Sequence, residues 1–181
     1  ANDKVISKLW FDYIDDFDKN GFAKVKLNNK LNLIDANGKV ISKLWFDDID
    51  DFDKNGFAKV KLNDKCNLID TNGNLLSKQW FDLIDIFTNG FARVELNDKW
   101  NLINKKGNLL SKQRFDWIDY FKNGIVRVEL YGRFNFIDIN GNFISQQWFD
   151  WISEFKNGFA QVKLNNKWNL IGTDGNLLFK Q

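Results

Sequence analysis

Carboxylates recur in this sequence at a spacing that a catalytic pair would not use. Asp12, Asp47, Asp82, Asp116 and Asp150 each follow a Phe, at intervals of 35, 35, 34 and 34 residues. A general acid and a general base need two different environments to drive their pKa values apart. Five copies of one environment suit instead an Asp that accepts hydrogen bonds from nearby backbone amides. His is absent, which removes the commonest general base and metal ligand. Cys66 is the only cysteine and fills a slot held elsewhere by Leu31, Trp100, Phe134 and Trp168, so it reads as a small apolar residue rather than a nucleophile. Asp16-Phe17-Asp18-Lys19-Asn20-Gly21 and Asp51-Phe52-Asp53-Lys54-Asn55-Gly56 spell the first half of a calcium loop, with oxygen side chains at alternate positions before a glycine bend. Leu27 and Leu62 stand where the bidentate Glu belongs, and later copies lose both Asp residues. A solvated turn is the simpler reading. The expectation is a chain that is not an enzyme, with no catalytic residue, no metal and no cofactor.

The spacing itself is the dominant signal. Residues 1–35 and 36–70 differ at only the third, thirteenth, twenty-ninth and thirty-first positions. Self-similarity at such a period marks a repeat architecture. The repeats run 1–35, 36–70, 71–104, 105–138 and 139–172, with a partial sixth at 173–181. Asn-Gly recurs with Gly21, Gly56, Gly90, Gly124 and Gly158. A second turn glycine recurs at Gly38, Gly73, Gly107, Gly141 and Gly175, with Asp3 in that place in the first repeat. The step from 35 to 34 is a deletion beside the first glycine turn, where loops tolerate change. The start, Ala1-Asn2-Asp3-Lys4, enters in mid-repeat without an initiator Met or a signal peptide. It reads as a fragment, a processed product or a designed chain.

Each repeat reads as β structure. Phe91 to Leu96 alternates apolar and charged residues with period two. Asn97-Asp98 then makes a two-residue turn of the kind that requires positive φ. Lys99 to Asn104 returns, Lys105-Lys106-Gly107 turns again, and Asn108 to Ser111 begins a third strand. In Phe115-Asp116-Trp117-Ile118-Asp119-Tyr120-Phe121 the apolar residues fall at steps of three, which suits a bent strand or a single 3₁₀ turn. One hairpin cannot bury its apolar face alone, so neighbours must supply the core. The expected fold is all-β: tandem β-hairpin repeats stacked as an open, twisted solenoid-like array. A five-bladed β-propeller is the alternative, although about 34 residues is short for a blade.

The pattern Lys99-Trp100-Asn101-Leu102-Ile103, Gly107, Phe115-Asp116-Trp117-Ile118, Phe121 and Gly124 resembles the WG (KWG) β-repeat. Gly158-Phe159-Ala160-Gln161-Val162 gives the final element most clearly. The resemblance covers essentially the whole chain. It implies a β-repeat module for interactions and supplies no catalytic residue or established ligand. Trp gives way to Leu31, Cys66 and Phe134 in three repeats. The family glycine is Asn in all five: Asn32, Asn67, Asn101, Asn135 and Asn169. The preferred reading of that exchange is a bulge with positive φ, which Asn tolerates better than other non-glycine residues. A stacked amide ladder is the other reading.

Aromatic residues are the candidates for ligand contact. Across the hairpin turn Glu95 pairs with Trp100 and Arg93 with Leu102; Lys26 and Leu31, Lys61 and Cys66, and Lys163 and Trp168 pair likewise. Covered, such a row is core with lysine stems laid over rings, which is the preferred reading. Exposed, it could bind glycans by stacking or anchor another protein. A second row is Trp10, Trp45, Trp80, Arg114 and Trp148, where Arg114 points to partial exposure; Trp117 and Trp151 lie just beyond it. Net charge is +2, from 26 basic and 24 acidic residues. No global field calls for nucleic acid or an anionic membrane, and no apolar run approaches the roughly 20 residues that span a bilayer. The expected function is a non-catalytic scaffold mediating protein binding or assembly, with a glycan-binding module as the alternative.

Overall fold

The computed structural model describes residues 9–179; Asp3 and the other expectations for residues 1–8, 180 and 181 lie outside them. Every regular element among the described residues is a β-strand, as expected of an all-β chain. The molecule divides into two compact bodies, residues 1–86 and 87–181.

In the first body β1 (Tyr13–Ile14), β2 (Phe22–Leu27) and β3 (Lys30–Asp35) form one antiparallel sheet. The next repeat forms another from β4 (Asp48–Ile49), β5 (Phe57–Leu62) and β6 (Lys65–Asp70), and β7 (Leu83–Ile84) ends the body. The second body starts with the hairpin β8 (Phe91–Glu95) and β9 (Trp100–Asn104). Two sheets follow: β10 (Trp117–Ile118), β11 (Ile125–Leu130) and β12 (Arg133–Asp138), then β13 (Trp151–Ile152), β14 (Phe159–Leu164) and β15 (Lys167–Gly172).

The hairpin registers agree with the pattern in the sequence. Arg93 faces Leu102 and Glu95 faces Trp100. Asn97 and Asp98 hold φ of 54° and 57°, the left-handed geometry a two-residue turn needs. The third strand is a correction: Leu109 makes only an isolated bridge to Ile103. The third paired strand comes instead from the bent segment. Phe115 bridges Trp100, the chain bends at Asp116, and Trp117–Ile118 pair with Glu129 and Val128. That bend lets Phe115, Ile118 and Phe121 all turn inward against Leu102, Val126 and Val128. Each core therefore joins the return strand of one repeat to the next repeat's bent segment. In the first body Leu33 packs with Phe46, Ile49 and Phe52 in the same way.

The recurring Asn is neither a bulge nor a ladder. None of the five has positive φ, and Val25 pairs with Asn32 in unbroken register. Instead the side chain serves as a backbone surrogate. Leu31 exchanges two main-chain hydrogen bonds with Phe46, and Ile41 N–H donates to Leu33. Between Ile41 and Phe46 the chain loops away from the sheet. Asn32 Nδ2 donates to the carbonyls of Ser42 (3.0 Å) and Leu44 (2.9 Å), while its Oδ1 accepts from the N–H of Leu33 (2.8 Å). Asn67, Asn101 and Asn135 repeat this with Ser77 and Gln79, Ser111 and Gln113, Ser145 and Gln147. Asn169 donates to Phe179. The first four are at most 1% exposed, so their amide groups are shielded from water.

Two glycine positions show two different constraints. Gly158 (φ +84°) has open space where a Cβ would stand, so it needs only left-handed geometry. At Gly141 a Cβ would lie 2.3 Å from the Leu110 carbonyl oxygen. There the turn of one repeat presses on the backbone of the repeat before it, and only a bare Cα fits.

Two outcomes follow from these contacts. Asn101→Ala should cost at least about 2 kcal/mol in a urea melt, because each buried group left without a partner costs about 1–3 kcal/mol. Asn101→Gly should cost no less, since Gly inside a strand is itself unfavourable; a near-neutral Asn101→Gly would reinstate the bulge. Gly141→Ala should destabilise by about 1–3 kcal/mol through overpacking. Gly158→Asn should stay within about 1 kcal/mol of the parent, and equal losses at the two sites would refute the distinction.

Candidate binding face

The Asp after the Phe does accept a backbone N–H at Asp12, Asp47, Asp116 and Asp150, and it does more. Asp47 Oδ2 takes the N–H of Asn63 at 2.7 Å, capping the turn of its own hairpin. Its Oδ1 is paired with Lys30 of the preceding hairpin. Asp116 takes the N–H of Tyr131 at 2.6 Å and pairs with Lys99. Asp150 takes Asn165 N–H at 2.7 Å, with Arg133 at 3.5 Å. One carboxylate thus ties two successive hairpins together. The Lys99 ammonium and the Tyr131 N–H hold the Asp116 carboxyl below the usual carboxylate range, and Asp116 in turn raises Lys99. Lys30 and the Asn63 N–H lower Asp47 likewise. In the half calcium loop, Asp18 Oδ1 is engaged by the N–H groups of Asn20 (2.8 Å) and Phe22 (2.9 Å). Asp53 holds Asn55 and Phe57 in the same way. Both are turn-forming carboxylates.

The aromatic slots separate by exposure. Trp45, Trp80, Trp100, Trp117 and Trp148 are half-buried, as is Arg114; Trp10, Trp151 and Trp168 are exposed. The core reading therefore fits the half-buried rings and fails for the last three. Trp45 lies beside Phe11, and Trp148 beside Phe143 at 5.4 Å. Trp151 and Trp168 turn out to belong to one transverse row. Trp151 pairs with Lys163, and Lys163 with Trp168. The two indoles lean over the lysine stem with centroids 5.3 Å apart at 70°. Lys163 Nζ lies 5.5 Å from the Trp168 ring.

Sequence reasoning marked Arg114 as a sign of exposure and paired Arg93 with Leu102, but did not group the arginines. All four, Arg93, Arg114, Arg127 and Arg133, fall in the second body. The Arg93 guanidinium lies 5.1 Å from the Trp100 ring and 4.0 Å from that of Tyr120. Arg127 lies 5.5 Å from Trp117 and donates from Nη2 to Asp119 at 2.6 Å. Tyr120, Lys122, Arg127 and Glu154 border a cleft of about 370 Å³ backed by Phe121 and Phe155. Lys122 pairs with Glu154 at 2.6 Å and holds its carboxyl below the usual range. The available signal was the comparison of repeats at a variable slot: Asp16, Asp51, Ile86, Tyr120 and Glu154 occupy one position. These groups can offer flat, polarisable anchors and paired charges to another surface.

The lowered carboxyls set an acid limit. Unfolded carboxylates bind more protons than the native ones, so this stability is fully present above the unfolded Asp value of about 3.9 and is lost as pH falls through the depressed native values. Asp116→Asn should flatten the acid limb of a stability-versus-pH curve measured by urea melts. An unchanged slope would show that the tie from Asp116 to Lys99 and the Tyr131 N–H does not set the acid limit.

A model for a WG containing repeat matches residues 1–30, 33–66, 68–100, 102–134 and 136–168. No curated protein matches the chain. Among solved structures, Hsv2p of Kluyveromyces lactis is 12% identical with a TM-score of 0.39, the match covering 92% of this chain and 62% of that one. Hsv2 of Kluyveromyces marxianus is 9% identical with a TM-score of 0.41, covering 90% and 59%. A protein of unknown function from Bacteroides caccae is 12% identical with a TM-score of 0.30, covering 89% and 77%. The chain spans about three-fifths of the two Hsv2 structures, and likenesses this remote bear on no function.

Proposed function

The chain belongs to the WG containing repeat family, and we propose that it is a non-catalytic scaffold that binds another protein through the aromatic and arginine face of its second body. The observation that carries this reading is the arrangement of Tyr120, Arg127, Trp151 and Trp168. Tyr120 and the two Trp residues are at least 41% exposed, and Arg127 is oriented by Asp119 beside Trp117. Trp, Tyr and Arg are the residue types that dominate binding energy in protein interfaces. Holding them by ion pairs and ring contacts before a partner arrives lowers the ordering cost of association.

Glycan binding is the second reading, supported by the exposed Trp168 ring. Sugar stacking needs a free ring face, and Arg93, Arg127 and Lys163 each stand over an indole. The repeated carboxylates speak against catalysis because Asp47, Asp116 and Asp150 are each committed to a turn and a lysine or arginine.

Selection of a displayed peptide library on the intact protein tests the proposal. Selected peptides should lose at least about tenfold in affinity on Trp151→Ala or Trp168→Ala, as truncation of an anchor costs about 2 kcal/mol or more. Peptides indifferent to both changes would sink the reading. A glycan-array signal abolished by the same changes would move the assignment to sugars.

A further inference from the structure

The repeats contain eight Asn-Gly pairs, and the fold treats them in three ways. At Asn20 and Asn55, the following glycine N–H donates to the carbonyl of Asp18 or Asp53 at 3.0 Å, and the Asn amide donates to the same Asp's carboxylate. At Asn37, Asn72 and Asn140 the glycine N–H donates to Asp35, Asp70 and Asp138 at 2.9–3.0 Å. The remaining three pairs sit in two-residue hairpin turns closed by Thr88 and Phe91, Lys122 and Ile125, and Lys156 and Phe159. In those turns the glycine is exposed and its N–H makes no hydrogen bond among the described residues. Asn89 is still restrained, because its Nδ2 donates to the Phe121 carbonyl at 2.7 Å. Asn123 and Asn157 are exposed, and neither their side-chain amides nor the N–H groups of Gly124 and Gly158 make a hydrogen bond among the described residues.

We infer that Asn123 and Asn157 are sites of spontaneous deamidation in the folded protein. The glycine nitrogen, on losing its proton, attacks Cγ of the preceding Asn. A C–N bond forms, the side-chain nitrogen takes up a proton and leaves as ammonia, and a cyclic imide remains. Water then opens the imide on either side. The products are Asp, or isoaspartate in which the backbone runs through the former side chain. The balance is Asn plus water to Asp or isoaspartate plus ammonia, with no change of oxidation state. Attack requires a nitrogen that can shed its proton and a side chain that can swing toward it. A glycine N–H bonded to a carbonyl holds its proton and its peptide plane. An amide bonded elsewhere, as at Asn89, holds the carbon away.

The change alters the surface. Each event adds one negative charge, so two events take the net charge from +2 to zero (2 − 2 = 0), and a chain near zero net charge associates more readily. Asn123 also borders the cleft between Lys122, Arg127 and Glu154, where a new carboxylate would compete with Glu154 for Lys122.

The test uses the unmodified chain. It is held folded at mildly alkaline pH, with a parallel sample in concentrated urea, and both are sampled over time by peptide mapping with mass spectrometry. In the folded sample Asn123 and Asn157 should gain the deamidation mass increment several-fold faster than the other six, while in urea all eight should converge. Equal rates for all eight in the folded sample would overturn the inference. So would the same ranking in urea, since the order would then owe nothing to the fold. If Asn89 keeps pace with Asn123, the requirement for a free side chain fails, and the inference with it.

Discussion

Just before the Phe that bridges back to each return strand, a loop of four residues runs outside any strand, Ser42 to Trp45 in the second repeat. Their carbonyls face inward, and buried carbonyls need donors. One amide side chain meets that demand four times over, with Asn32, Asn67, Asn101 and Asn135 each donating to two loop carbonyls and accepting from the following N–H. The Ser at the head of the loop helps from the other side: Ser77 Oγ accepts from Gln79 N–H at 3.0 Å, folding the loop so that both carbonyls converge. Without the amide the loop could not leave the sheet and return. The main-chain pair between Leu31 and Phe46, and the packing of Leu33 on Phe46, Ile49 and Phe52, both depend on that return.

With the path fixed, side chains supply two further ties between repeats. The Asp carboxylate caps one turn and reaches the lysine or arginine of the hairpin before it. Aromatic pairs do the same in the core: Phe22 meets Phe52 at 4.8 Å, and Phe91 meets Phe121 at 4.6 Å. The fourth repeat tests whether the ring or its position matters. There Ile125 replaces the strand Phe, and Phe136 replaces the Leu found at that slot in the other four. Phe136 then meets Phe155 at 4.6 Å. The ring has moved to the adjacent strand and the stack is kept, as close packing at fixed volume requires. The constraint is on the shared volume, not on either residue.

Strand pairing was legible because period two and the Asn-Asp turns are local signals. Leu31, Trp100 and Trp168 were placed correctly opposite their partners by counting from the turn. The role of Asn101 was not legible. Its partners, Ser111 and Gln113, lie ten and twelve residues on in a segment with no period, and comparison with a family glycine directed attention to φ instead of to the side chain. The third strand failed for a related reason: Leu109-Leu110 has strand composition, but the loop pulls the chain off the sheet after one bridge. The Trp151–Trp168 row was hidden because its two members lie on non-adjacent strands, and only the pairing of the bent segment with Lys163 brings them together.

Repetition also separates what the fold needs from what it leaves free. The Phe before the Asp and the Asn after the Trp slot, filled alike in every repeat, are accounted for by a packing contact and a hydrogen-bond set, and the Gly of the exposed Asn-Gly turn by its positive φ. Some core slots vary by compensated exchange, as at Phe136, but many of the slots that vary carry exposed side chains, where substitution meets little resistance from packing. The variation is not random in chemistry. Residues 1–86 carry lysine and aspartate at such slots and no arginine, whereas residues 87–181 carry all four arginines and five of the eight tryptophans. Arg and Trp are not needed there for folding, since Lys24 and Lys59 serve at the slots of Arg93 and Arg127 and Asp48 at that of Trp117. A guanidinium that lies over an indole and pairs with a carboxylate loses less freedom on meeting a partner than a solvated lysine does. The second body thus carries groups suited to recognition on a backbone that the first body shows can be built without them.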